Sequence, residues 1–511
     1  MVKWWQETVF YEIYMPSFKD GNGDGIGDFK GLREKIPYLA ELGIGGVWLT
    51  PFYPSPKVDN GYDVSDYCAV DADFGTMADL EVFIAEAHAY GIRVIADMVV
   101  NHVSTEHAWF KEARVARDSP KRDWFVWQDT PNNWESFFGG SAWEWDASTE
   151  QYYYHSFAKE QVDLNWRNEE VVREIWNVFD FWLNKGLDGF RLDVINNLTL
   201  TRNFPDNPVD ANGEQVHIFD KDQPGMDAKM AEIGAYIRGK GDYFTVGEIS
   251  SDKLSDIEKY AGTDGLDVTF NFNFGSVASR DGIVAELSRM QEVYADGRMP
   301  TLFFGSHDMS RSWNRLADGR EDVAQMLAML MLTAHGVPFV YFGEELGMAD
   351  FVPDSVDAMR DVQGIYAYDL ELEAGRTADE ALRVAQDKTR DKARAPMWWP
   401  EGFSQGVAWI GEVPPDFERG RRMITFYQAL IALRKTADFC EPGYRAFDVD
   451  GALLTYVRGD YLVCLNFGEA REMGNCWGNL TEILANQSIV FDAEIVKLPE
   501  NAAVIFKVGE Q

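Results

Sequence analysis

Gly189-Phe-Arg-Leu-Asp193 sets an acid directly behind a short apolar run, and the arrangement recurs along the chain. Arg93-Val-Ile-Ala-Asp-Met98 carries Asp97, Phe244-Thr-Val-Gly-Glu248 carries Glu248, and Leu302-Phe-Phe-Gly-Ser-His-Asp308 carries Asp308. Each apolar run reads as a strand, and a strand end is a rigid place to hold a charge. Working outward, candidate strands fall at residues 9–14, 46–49, 93–98, 189–192, 244–246, 268–271, 302–304 and 339–341. Helical patterns lie between them, for example at 77–90 and 170–185. This alternation predicts an α/β fold, a (β/α)8 TIM barrel, whose C-terminal strand ends converge on one mouth.

A lone Asp past a strand reads as a helix N-cap. Four acids in order, with Arg191 two residues before Asp193 and His307 beside Asp308, point instead to a site. Carboxylates gathered at one mouth suit acid/base and nucleophilic work on a sugar acetal.

The barrel accounts for residues 1–102 and 170–437, with a long excursion after the eighth strand at about 346–410 that should fold over the mouth. Residues 103–169 are too long for one helix and are rich in Trp, Tyr and turn residues, which predicts an inserted domain. Past the helical pattern at 421–435, short alternating runs at 453–457, 461–466, 488–491 and 503–508 predict an antiparallel β-domain over 438–511.

Formal net charge is −37, from 84 acids against 47 bases. Such a surface repels nucleic acid and anionic lipid and excludes both as partners. The N-terminus lacks the basic and apolar regions of a signal peptide. The most apolar stretch, 324–342, contains Gln325, His335, Gly336 and Pro338. It reads as a buried helix, a turn and a buried strand rather than a membrane span. Cys68, Cys440, Cys464 and Cys476 show no CxxC spacing and read as reduced thiols. The expectation is a monomeric cytoplasmic protein.

Further segments complete a pattern: Asp97-Met-Val-Val-Asn-His102, Gly189-Phe-Arg-Leu-Asp-Val-Ile195, Val246-Gly-Glu248, Ser306-His-Asp308, Gly61-Tyr-Asp63, Gln161-Val-Asp-Leu-Asn165 and Ala393-Arg-Ala-Pro-Met397. Through them nearly the whole chain resembles glycoside hydrolase family 13, the α-amylase family, and within it the oligo-1,6-glucosidase/dextran glucosidase/α-glucosidase group. The resemblance implies a retaining exo-acting α-glucosidase acting on small α-glucosides. It implies Asp193 as nucleophile, Glu248 as general acid and then base, and Asp308 as the acid that binds sugar hydroxyls. His102 and His307 become hydrogen-bond donors to the sugar. Arg191 should keep Asp193 ionised, and the neighbouring carboxylates should keep Glu248 protonated. By the same resemblance Tyr62 is the platform for the first glucose, Phe157 lines its pocket, and Asp63 pairs with Arg394 to close the blind end. Val194, behind the nucleophile, accompanies α-1,6 preference in this group.

The chain departs from the pattern at Ala395-Pro-Met-Trp-Trp399, where Trp398 replaces a polar residue near the outer subsites, and at Gln161-Val-Asp, which lacks a proline. Two other readings stay open. One is a transglucosylase or isomerase acting on sucrose, maltose or trehalose. The other is a non-catalytic relative such as the barrel subunit of amino-acid transporters, which lacks the full acid set.

Asp20-Gly-Asn-Gly-Asp-Gly-Ile-Gly-Asp28 sets oxygen side chains at alternate positions between glycines. Hard cations take six to eight oxygens, and glycines let a chain wrap them. Gly31 stands at position twelve, so the loop is not an EF-hand. Spacing alone favours a plain Gly/Asp turn without metal. The resemblance implies a structural Ca²⁺, or alternatively Mg²⁺, held by Asp20, Asn22, Asp24, the Ile26 carbonyl and Asp28.

Overall fold

The computed structural model describes residues 3–249, 251, 253–262, 264–440 and 442–509. Its centre is one parallel eight-stranded sheet. The strands are β1 (Phe10–Ile13), β2 (Gly46–Leu49), β3 (Arg93–Met98), β4 (Gly189–Leu192), β5 (Phe244–Glu248), β6 (Val268–Phe270), β7 (Thr301–Leu302) and β8 (Val337–Tyr341). Each strand pairs with its chain neighbours except β6 with β7, β1 also pairs with β8, and the ladder runs from β6 round to β7. At the seam between β6 and β7 side chains replace the ladder. Thr301 Oγ1 donates to the Thr269 carbonyl at 3.1 Å and accepts from the Asn271 amide at 3.0 Å. The sheet thereby curls into the barrel expected from the sequence.

Alternation along the strands decides what faces inward. Phe10, Trp48, Ile95, Phe244, Val246, Phe270 and Phe339 pack together as an interior cluster. Tyr11, Ile13, Val47, Leu49, Val94 and Phe190 belong to the outer cluster beneath the helices. Continuing two residues past the apolar layer, the inward positions become Glu12, Asp97, Arg191 and Glu248. Period two therefore lifts a charged layer above an aromatic plug. Gly189, at φ +153°, lets β4 approach β5, since a Cβ there would lie 2.0 Å from the Phe244 carbonyl oxygen.

The helices begin where local chemistry caps them. Thr76 and Asp79 form a reciprocal capping box at Met77–Ala89, and the Asn168 side chain accepts the Glu170 amide at Glu169–Asn184. Between β3 and β4, His102–Ser104 pairs antiparallel with Gln161–Asp163, and Trp127–Gln128, Gln151–Tyr154 and Trp143–Asp146 form a three-stranded sheet. After β8 come helices Val362–Glu373, Ala378–Lys388 and Phe417–Arg434.

The C-terminal strands form five- and three-stranded antiparallel sheets. Four of them, Ala446–Asp450, Arg471–Gly474, Leu480–Ala485 and Ile495–Leu498, lie outside the runs read from the sequence. Arg471–Gly474 and Leu480–Ala485 are largely solvent-facing, so their residue types lack the inward apolar alternation that marks a strand. No helix among the described residues is long and apolar enough to cross a membrane.

Candidate active site

At the C-terminal mouth of the barrel Arg191 gathers three carboxylates. Its Nη1 donates to Asp97 Oδ1 at 2.7 Å and to Asp193 Oδ1 at 2.5 Å, and its Nη2 donates to Glu248 Oε2. Asp97 is fully buried and also accepts from Tyr62 Oη at 2.9 Å and Trp48 Nε1 at 3.3 Å. It orients Arg191 from below, where the aromatic plug leaves a gap of only about 10 Å³.

Asp193 and Glu248 are in hydrogen-bond contact. Burial pushes Glu248 up to about 7, with Asp193 and Asp308 adding to the shift and Arg191 opposing it. Burial also pushes Asp193 up to about 6, against Arg191. Arg191 acts on Asp193 in the expected direction, favouring the ionised form, but one guanidinium is divided among three carboxylates and desolvation outweighs its share. The ordering survives, with Asp193 losing its proton before Glu248.

Asp308 differs. Burial is outweighed by His307, Arg390 and Arg394, which hold its carboxyl well below the usual range. His307 Nε2 lies 3.1 Å from Asp308 Oδ2 and 2.6 Å from Tyr62 Oη, and its Nδ1 lies 2.6 Å from Glu12 Oε1. Burial would lower His307, but Asp308 and Glu12 together raise it to about 9. His307 is therefore a charged ring between two carboxylates. His102 is its opposite, since burial pulls it down to about 3 and it stays neutral.

Above these groups opens a cavity of about 350 Å³. Asp193, Val194, Glu248 and Asp308 form its floor, and Tyr62 and His102 line one side. Tyr62 stacks on His307 at 5.3 Å. Phe137, Phe138 and Phe157 make an aromatic wall, with Phe157 5.4 Å from the His102 ring. Val194 holds φ +36°, ψ +49°. A β-branched residue in the left-handed region is strained, and here it sits beside the acid pair with its amide 3.3 Å from Glu248 Oε2.

The expected Asp63–Arg394 pair is not formed. Asp63 is turned into its own loop, accepting from Ser55 Oγ at 2.8 Å and the Val58 and Asp59 amides at 2.9 and 3.0 Å. Arg394 lies behind the site, donating to the His307 carbonyl at 3.0 Å and to Asp308 Oδ1 at 3.3 Å. The pair at the cavity wall is Asp59–Arg390 at 2.5 Å, and Arg390 also pairs with Asp361. Each partner stands four residues earlier than expected, because short loop motifs locate an acid and an arginine without saying which of two neighbours turns inward. Trp398 is likewise buried, donating to the Val413 carbonyl at 2.9 Å under Arg419 rather than facing the cavity.

The sequence reading missed Glu12, Asp59, Phe137, Phe138, Gln363 and Arg390. Glu12 alone had a signal: an acid inside the apolar run Phe10-Tyr11-Glu12-Ile13 has to be buried and paired.

The Asp20–Asp28 loop offers only oxygen donors, as a hard cation requires. Burial raises Asp28, opposed by the Gly31 and Gly21 amides and helped by Asp20 and Asp24, while against burial the Ser404 hydroxyl and backbone amides hold Asp20 below its ordinary value. In this arrangement Asp20 accepts the Asn22, Gly23 and Gly25 amides, and Asp28 caps the helix Phe29–Leu42. No group of three or more Asp, Glu, His or Cys side chains is gathered as a metal cage among the described residues.

Residues 12–443 match the family described as "Alpha amylase, catalytic domain". The chain is 38% identical over 485 residues to an oligo-1,6-glucosidase of Heyndrickxia coagulans, covering 87% of each chain. It is 38% identical over 466 residues to a trehalose-6-phosphate hydrolase of Escherichia coli (strain K12), covering 84% of each. The solved trehalulose synthase of Pseudomonas mesoacidophila superposes with a TM-score of 0.91 at 32% identity, over 100% of both chains.

Proposed function

This chain belongs to the α-amylase family, glycoside hydrolase family 13, and from that premise we propose that it is a retaining exo-acting α-glucosidase. It removes glucose from the non-reducing end of isomaltooligosaccharides, prefers α-1,6 bonds, and transfers some glucose to sugar acceptors. The observation that carries this reading is the cavity, which has the acid pair on its floor and the Asp59–Arg390 pair in its wall. At about 350 Å³ it lies near the lower end of ligand pockets, roughly 300–1,000 Å³, which suits a sugar end rather than a continuous chain.

In this mechanism the Asp193 carboxylate attacks the anomeric carbon while protonated Glu248 gives its proton to the leaving oxygen. A covalent glucosyl-enzyme results. Glu248, now ionised, takes a proton from water, and that water releases glucose. Asp308, His307 and His102 hold hydroxyls of the sugar, and Tyr62 supports its face. Val194, held beside the pair, shapes the space for the leaving sugar and favours the α-1,6 bond. A phosphorylated aglycone is disfavoured, because the one guanidinium lining the cavity among the described residues, Arg390, is already paired with Asp59 and Asp361.

The test is product analysis on isomaltose, panose, maltose, sucrose, trehalose and dextran at low and high substrate. Glucose from isomaltose and panose should appear first, with longer oligosaccharides only at high substrate. Faster release from maltose, or isomerised sucrose as the main product, would overturn the hydrolytic α-1,6 reading.

A structural Ca²⁺, or Mg²⁺, in the Asp20–Asp28 loop belongs to the same proposal, supported by the all-oxygen donor set. Asp20, Asn22, Asp24, the Ile26 carbonyl and Asp28 would hold it. The ion would neutralise the facing carboxylates and stabilise the folded loop. Chelation should lower Tm and release one metal per chain, and Asp24→Ala should remove the response. A Tm and metal content indifferent to chelator would leave a plain turn. The thiols Cys68, Cys440, Cys464 and Cys476 are free, in keeping with a cytoplasmic location.

A further inference from the structure

The chain carries a net charge of −37, yet Arg117, Arg122, Arg167 and Arg202 line a single hollow of about 470 Å³. None of its lining residues is shared with the acid-floored cavity. The hollow lies between the segment inserted after β3 and the connection that follows β4. Trp127 and Phe204 supply aromatic surface, and Asp123 is the one carboxylate in its wall.

The arginines divide into two kinds. Arg117 is committed to the Thr149 and Glu150 carbonyls and to Asp129. Arg122 is buried, lies 3.3 Å from the Trp127 ring, and donates to the Ala113 carbonyl, Thr149 and Gln151. These two supply fixed positive potential. Arg167 donates only to the Leu200 carbonyl, through Nη2, and Arg202 makes no hydrogen bond or ion pair among the described residues. No carboxylate pairs with either guanidinium among the described residues. Both guanidiniums border the same hollow, and after burial the charge of Arg202 is the cause that lowers Arg167 from its ordinary value.

Two like charges kept together without a counter-charge cost free energy that an anion between them would recover. Guanidinium forks match the oxygens of a tetrahedral anion bidentately. The acidic remainder of the surface repels a nucleic-acid backbone, which leaves a small anion. We propose that this hollow is an accessory site for a phosphate group, free or as a sugar phosphate monoester, bound by Arg167 and Arg202. Occupancy braces the connection after β4, which carries Asp193 and Val194 at its start, against the inserted segment. Asn132 Nδ2 already makes such a link to the Phe204 carbonyl at 3.0 Å.

The test is calorimetry and thermal melting of the full chain with inorganic phosphate, glucose 6-phosphate and glucose, against chloride at equal ionic strength. Both phosphates should bind at one site and raise Tm above the chloride reference, while glucose should not compete with them. Tighter binding of glucose 6-phosphate identifies a sugar phosphate as the ligand, and equal binding identifies free phosphate. The Arg167→Gln/Arg202→Gln double variant should lose at least tenfold in phosphate affinity and keep wild-type glycosidase kinetics. Arg202→Gln alone, at an exposed position, repeats the test should the double variant fold poorly. No phosphate-specific response in the wild type, or an equal response in the variants, would overturn the proposal.

Discussion

Asp193 and Glu248 share Arg191 and shift one another, so their titrations belong to the pair. Asp193 has to be ionised to attack and Glu248 protonated to donate. Activity should therefore fall as pH drops through about 6, where Asp193 gains its proton, and fall again as pH rises through about 7, where Glu248 loses its own. The kcat/KM profile on isomaltose should be a narrow bell. Glu248→Gln should slow isomaltose by about 10²–10⁴-fold, spare an aryl glucoside with a good leaving group, and abolish the alkaline limb on that substrate. A broad plateau reaching pH 9 would contradict the assignment. The neighbouring acids Asp59 and Asp63 separate binding from folding. Asp59→Asn removes one of the carboxylates that pair with Arg390 at the cavity wall, and weakening such a buried pair costs about 2–5 kcal/mol, so KM should rise at least tenfold. Asp63→Asn disturbs a carboxylate that satisfies two backbone amides. It should cost about 1–3 kcal/mol of stability with KM nearly unchanged. The reverse outcome would restore the Asp63–Arg394 pair.

At the scale of elements the barrel has one weak joint. Seven of its contacts are ladders of backbone hydrogen bonds, whereas β6 and β7 meet through the Thr301 hydroxyl. Thr301 is fully buried, so Thr301→Val keeps the shape and leaves the Thr269 carbonyl and Asn271 amide without this partner. Denaturant unfolding should show a loss of about 1–3 kcal/mol. No change would mean that backbone contacts already close the seam. The barrel strands were legible because runs such as Arg93–Met98 are apolar on both faces, as strands buried in a parallel sheet must be. The outer strands Arg471–Gly474 and Leu480–Ala485 were not, because neither has a buried face, and without one no apolar alternation is imposed on the sequence.

For the whole molecule the dominant quantity is the charge of −37. Acids distributed over one surface repel, and salt screens that repulsion over about 10 Å at 0.1 M. Raising NaCl should therefore raise Tm, independently of any effect of a chelator. An unchanged or falling Tm would show that local ion pairs, such as Arg33–Glu86 and Arg422–Glu321, outweigh the net repulsion.

Sequence by itself determined the barrel, the order of its strands and the acids Asp97, Asp193, Glu248 and Asp308 at or beyond their ends. Those follow from periodicity, since a residue's place along a strand decides its face. Only the tertiary structure decided that Asp59 and Arg390 meet across 331 positions of chain, that Phe137 and Phe138 join Phe157 in the wall, and that Glu12 charges His307. Such partners sit on loops or on distant strands, where no local period fixes which side chain turns inward. Burial then sets their charge states, a property of the surrounding volume rather than of any stretch of chain.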